Sequence, residues 1–152
     1  MASISWCKGK KGGIQLIEPN DNLSKEYYES AEDTIKDLHL QESNIWRAAK
    51  KYYAEYHATY AILMKIGIKS EIHECTIAVI KFLEKEQLIP FQLSSILNED
   101  EALRIDNQYY LKNRPVLFDR GEMAELLLKV KAFIDGLSEP RIQEIRKKIE
   151  KA

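Results

Sequence analysis

Ile45-Trp46-Arg47-Ala48-Ala49-Lys50-Lys51-Tyr52-Tyr53-Ala54-Glu55-Tyr56-His57-Ala58-Thr59-Tyr60-Ala61-Ile62-Leu63, closing at Gly67, is the stretch whose reading decides the fold. Ile45, Ala49, Tyr52, Tyr53, Tyr56, Tyr60 and Leu63 recur at intervals of three and four, which lays one apolar stripe along a helix. Ser43 or Asn44 is placed to cap its start, and Gly67 to end it as a left-handed C-cap. On the N-terminal side, Ser24 is a plausible cap for a helix carrying Tyr27, Tyr28, Ala31, Ile35 and Leu38 on one stripe. On the C-terminal side, Ser70 is expected to cap a helix with Ile72, Cys75, Val79, Phe82 and Leu83, stopped before Pro90.

Further along, the acid-rich Asn98-Glu99-Asp100-Glu101 suits the start of a helix reaching about Lys112, with Pro115 beyond it. Asp119 is expected to cap a helix through Met123, Leu127, Val130 and Ile134 that ends at Gly136. Ser138 and Pro140 then open a short last helix through Ile142, Ile145 and Ile149. Strand-like alternation is nearly absent. The fold class expected is therefore all-α: an antiparallel up-and-down four-helix bundle with additional C-terminal helices, since short connections place successive helices side by side. Residues 1–21 are expected to form an irregular arm, and 22–152 one helical domain.

The chain has 152 residues, 45% hydrophobic and 31% charged, enough to bury a core without staples. No apolar run is long enough for a membrane span and no secretory signal is evident, so a cytoplasmic location is expected. The two cysteines, Cys7 and Cys75, lie far apart with no CxxC spacing and are expected to be reduced thiols, with a disulfide left open. The net charge of −1 argues against a broad polyanion-binding surface, but it is a cancellation. Residues 21–42 hold seven acids against two bases and 67–103 seven against three. By contrast, 43–66 hold four bases against one acid and 104–114 three against one. An anion would have to be met by these local patches.

The basic and aromatic residues of the second helix could meet phosphate through Arg47, Lys50 and Lys51 and stack a base on a tyrosine. An aromatic stripe at helical spacing is usually the core of a bundle, with the tyrosine hydroxyls reaching partners at its edge. His57 adjoins the apolar stripe. His73 falls in the first turn of the next helix, beside Lys69, where an anion is favoured and an imidazolium disfavoured. Arg104 and Gln108 stand at i, i+4, with Tyr109, Tyr110 and Arg114 beyond them. No metal or cofactor motif is present: Glu71-Ile72-His73-Glu74 is not HExxH, and the Gly-Lys arm lacks the GxxxxGK[ST] spacing.

In the order and spacing of these segments the chain resembles the HEPN (higher eukaryote and prokaryote nucleotide-binding) superfamily, in its small stand-alone archaeal and bacterial branch. The resemblance rests on Leu23-Ser24-Lys25-Glu26-Tyr27 with Ala31 and on Trp46 to Ala58, where the family has an AYYAxFHA-like run. It continues through Gly67-Ile68-Lys69-Ser70 with His73 and through Arg104 to Tyr110, with an arm from Trp6-Cys7 to Pro19-Asn20 like that of archaeal members. The resemblance implies a four-helix core, a homodimer, and a minimal nucleotidyltransferase as partner, in some cases as a toxin–antitoxin pair. Active family toxins are metal-independent ribonucleases with an Arg-x4-6-His motif, the His moving a proton at the 2′-hydroxyl and the Arg stabilising phosphate charge.

No arginine here has a histidine at that spacing; after Arg104 the position holds Tyr109, and a tyrosine of ordinary pKa near 10 is a poor base. The expectation is accordingly a non-catalytic module that binds a nucleotide, RNA or a nucleotidyltransferase through Arg47, Lys51, Lys69, His73, Arg104, Tyr109 and Arg114. The alternatives are a divergent ribonuclease using Arg104 with His57 or His73, and a purely structural dimeric partner protein.

Overall fold

In the computed structural model, which describes residues 2–152, the decisive stretch forms helix α3 (Asn44–Ile66). Ser43 caps it by accepting the Trp46 amide, and Gly67 ends it at φ +90°. A Cβ on Gly67 would stand 2.4 Å from both Arg146 Nη1 and the Ile17 carbonyl. Gly67→Ala is therefore expected to cost at least about 2 kcal/mol, from left-handed strain plus the clash. Chemical denaturation reads the loss; an unchanged midpoint would mean that this turn is not fixed.

Before α3 lies α2 (Asp21–Leu38), capped by Asn20 rather than Ser24. Ser24 is instead buried inside the helix, its hydroxyl donating to the Ala61 carbonyl of α3. The pairs Asp21–Lys65, Ser24–Ala61, Ser30–His57 and Asp37–Lys50 run in opposite directions along the two helices, so α2 and α3 form an antiparallel hairpin. After α3 come α4 (His73–Lys85), α5 (Ser94–Gln108), α6 (Arg120–Gly136) and α7 (Glu139–Lys151). Helices α5, α6 and α7 all contact α3, which is buried along most of its length. Asp119 and Ser138 cap α6 and α7 as their sequence positions imply.

Two further helix starts differ from the sequence reading. Ser70 does not cap α4; it lies one turn earlier, where its hydroxyl meets Ile72 and Thr76. Helix α5 begins at Ser94, several residues before the acidic run, because Glu84 of α4 reaches across to accept the Leu93 and Ser94 amides. That cap comes from another helix and leaves no local trace in the sequence.

The N-terminal arm is ordered rather than irregular. It holds a short helix, α1 (Ile4–Lys8), and a strand, β1 (Gln15–Leu16), paired antiparallel with β2 (Ile68–Lys69). Cys7 and Cys75 are joined in a disulfide between α1 and α4, both fully buried. The expectation of reduced thiols is thus corrected, and the cysteines cease to argue for a reducing compartment. The arm is tied down again by α7. Lys8 donates to the Ile149 and Glu150 carbonyls, and Arg146 donates to the carbonyls of Ile17, Ile66 and Gly67, a cation set at the negative end of α3. No helix among the described residues is long and apolar enough to cross a membrane.

Candidate functional site

Three of the four tyrosines of α3, Tyr52, Tyr56 and Tyr60, find a polar partner in the first turn of α4 or just before it. Tyr52 and His73 Nδ1 share a hydrogen bond of 2.7 Å, Tyr56 meets the Thr76 hydroxyl at 2.9 Å, and Tyr60 accepts the Ser70 amide at 3.2 Å. The His73 ring stacks on Tyr56 with centroids 4.3 Å apart and lies 5.7 Å from Tyr52. These tyrosines are core residues whose hydroxyls order the start of α4. Burial raises the Tyr52 and Tyr56 hydroxyls above their ordinary value, so both keep their protons at neutral pH. Burial first, then the nearby Arg104 charge, lowers His73 below its ordinary value and holds the imidazole neutral. A Tyr52 hydroxyl that donates to Nδ1 then leaves the proton on Nε2.

Arg104 comes to the same tyrosine from α5. Its guanidinium carbon lies 5.0 Å from the Tyr52 centroid, 5.5 Å from Tyr53 and 5.9 Å from Tyr109, within cation–π range. The residue is only 8% exposed. Nη1 donates to Gln108 at 3.3 Å, and Nε has no hydrogen-bond partner. No carboxylate among the described residues forms an ion pair with it. Glu101, one turn earlier on α5, feels its charge, but burial dominates there and pushes that carboxyl above its ordinary value. The guanidinium thus lies on rings with a buried, unused N–H and no counter-ion.

The remaining candidates are spent in local pairs or lie apart. Lys51 is held between Glu55 and Asp100, inside the α3–α5 contact. Arg47 donates from Nε to the Gln41 carbonyl at 2.7 Å and lies over Phe118. Arg114 pairs with Asp106 at 2.6 Å; this bond holds that carboxyl below its ordinary value. Lys69 pairs with Glu71 and lines a cleft of about 450 Å³ beside Lys8, Lys10 and Lys11 of the arm. His57 gives Nδ1 to Ser30 at 2.7 Å and meets the edge of Tyr27, so it faces α2 rather than α5. Of the histidines weighed with Arg104, His73 shares the Tyr52 ring with it, whereas of the rings beside Arg104 His57 meets only the edge of Tyr53, at 6.2 Å between centroids.

Glu55 escaped the sequence reading. It is 3% exposed, and its position three residues from Tyr52 and four from Thr59 places it on the buried side of α3, a signal that was present. Neither a family model, nor a curated protein, nor a solved structure matches the chain. What the site can do therefore follows from its own geometry.

Proposed function

We propose that the chain is a binding module for a phosphate-bearing ligand, a nucleotide or RNA, held without cleavage where Arg104 and His73 flank Tyr52. The observation that carries this reading is the buried Arg104 guanidinium, free of any carboxylate and with Nε unpartnered. Phosphate oxygens would take Nε–H, once the side chains that cover it move aside, and the Nε2–H of neutral His73, and the exposed ring of Tyr109 offers a face for a base. The up-and-down four-helix arrangement around α3 and the HEPN assignment belong to the same proposal, supported by the α2–α3 hairpin and the residue order. So do a cytoplasmic location, where such ligands are met, and a partner, either a second copy or a minimal nucleotidyltransferase. Trp46, Tyr109, Tyr110 and Leu111 are exposed where the start of α3 meets the end of α5, and support a partner-binding surface there.

A single-stranded RNA titration tests the proposal. Affinity is expected to fall with added salt, and Arg104→Ala to weaken binding by about tenfold or more. Arg114→Ala, whose guanidinium is already paired with Asp106, is expected to change it by less than about threefold. Equal losses from the two variants would mean diffuse attraction instead of a site.

A second reading follows from the other tautomer: if Tyr52 accepts from Nδ1–H of neutral His73, Nε2 is left free to take a proton on the ring that Arg104 shares. That suits a general base near a bound phosphate. If the chain is a ribonuclease, RNA is cut in the presence of a chelator and His73→Ala abolishes cutting while largely sparing binding. Absence of cutting, with binding intact, leaves the module.

A further inference from the structure

A second cleft, of about 220 Å³, lies between the middle of α3, the first half of α5 and the start of α6. Its lining carries five acids, Glu55, Glu99, Asp100, Asp119 and Glu122, against one cation, Lys51. Acidic side chains on a surface are ordinarily solvated and imply no ligand. Glu55 is different, because it is 97% buried and its Oε1 meets no hydrogen-bond donor. Lys51 engages only the other oxygen, Oε2, at 3.0 Å, together with Oδ2 of Asp100. A buried carboxylate oxygen without a donor is destabilising, and a ligand that supplies an N–H would remove that cost.

The rest of the lining says what kind of donor fits. Ile96, Leu117, Phe118, Met123 and Leu126 make about half of it apolar, and Leu117 stands almost fully exposed. Among the described residues no three His, Cys, Asp or Glu side chains come close enough together to hold a metal ion. We propose that this cleft binds an organic cation, an ammonium or guanidinium group on a short aliphatic stem. The head faces Glu55 and the rim carboxylates of Glu99 and Glu122, and the stem lies along Phe118 and Leu126. The same head is carried by a free diamine or polyamine and by an arginine or lysine side chain.

Binding has a proton signature. Glu55 sits above its ordinary value, chiefly through burial and then the Asp100 carboxyl. The charged groups lining the cleft with it are Lys51 from α3, Glu99 and Asp100 from α5, Asp119 from the preceding loop and Glu122 from α6. A bound cation favours the ionised form, so binding releases a proton and tightens as pH rises.

The test is an amide NMR titration of the full chain with agmatine and, separately, with a capped Leu-Arg-Leu peptide, backed by calorimetry in two buffers of different ionisation enthalpy. Saturable shifts at Ile96, Asp100, Glu122 and Met123, with proton release, are expected. Glu55→Gln should weaken binding by about tenfold. The paired rim variant Glu99→Gln/Glu122→Gln, whose side chains are exposed, should weaken it by about threefold and keeps the test decisive if Glu55→Gln fails to fold. A response to agmatine alone assigns a free amine, and a response to the peptide assigns a partner's side chain. No saturable shift with either probe by about 20 mM, or shifts that the rim variant leaves unchanged, would overturn the proposal.

Discussion

Cys75→Ser is expected to lower the stability of the folded chain by about 4 kcal/mol, the chain-entropy value for a closed loop of this length. The Cys7–Cys75 bond spans 68 residues, from α1 to α4. For a domain of this size, such a loss moves the thermal midpoint by on the order of 10 °C. Both sulfurs are fully buried, so dithiothreitol should leave the native protein intact and act only as the chain opens. Thermal unfolding followed by circular dichroism, with and without reductant, reads the effect. Equal midpoints, or two titratable thiols in the unreduced native protein, would show that the bond does not form. Because Cys75 lies two residues after His73, the same variant is expected to weaken ligand binding at the Arg104 face.

Lys51→Met is expected to cost about 3–5 kcal/mol at pH 8, because it leaves Glu55 and Asp100 buried without their cation. The sign of the pH dependence follows from Glu55. Burial and Asp100 raise its folded value above the ordinary 4.5, while Lys51 opposes them. A carboxyl raised in the folded state contributes its full stability below its unfolded value and loses it as pH climbs through the folded value. Removing Lys51 raises Glu55 further, so the deficit of the variant should shrink towards pH 5 and widen towards pH 8. Urea unfolding at both pH values measures it. A deficit of the same size at both would mean that Lys51 acts by packing alone.

The helical framework was legible where a signal is local. The α3 stripe, Gly67 as its left-handed end, and the Ser43, Asp119 and Ser138 caps each depend on residues within one or two turns, and each is where its spacing put it. What stayed hidden depends on residues distant in the chain. Helix α5 starts early because Glu84 caps it from α4, and the arm gains a strand only because β2 offers an edge. The disulfide forms because α1 packs on α4, a proximity that cysteine spacing does not encode.

At the site, the residue types were legible and their pairing was not. Lys51, Arg47 and Arg114 read as free cations in the sequence, whereas Glu55 with Asp100, the Gln41 carbonyl and Asp106 each occupy one of them. Arg104 is separated from this group by an Nε–H that meets no acceptor and by the lack of any ion pair among the described residues, which only the packing of α5 against α3 decides. The −1 of the whole chain is therefore compatible with one buried guanidinium that lacks a counter-ion.

The most direct measurement on that guanidinium is the Nε–H resonance of Arg104, assigned by its loss in Arg104→Lys and followed while adenosine monophosphate or a short oligouridylate is added. Completion of the unused donor predicts a saturable downfield shift of this proton, accompanied by a shift of the His73 ring signals and absent when the protein is titrated with uncharged adenosine. An Arg104 Nε–H that stays in place while ligand saturates elsewhere, or that moves equally with adenosine, would contradict a phosphate site at this face.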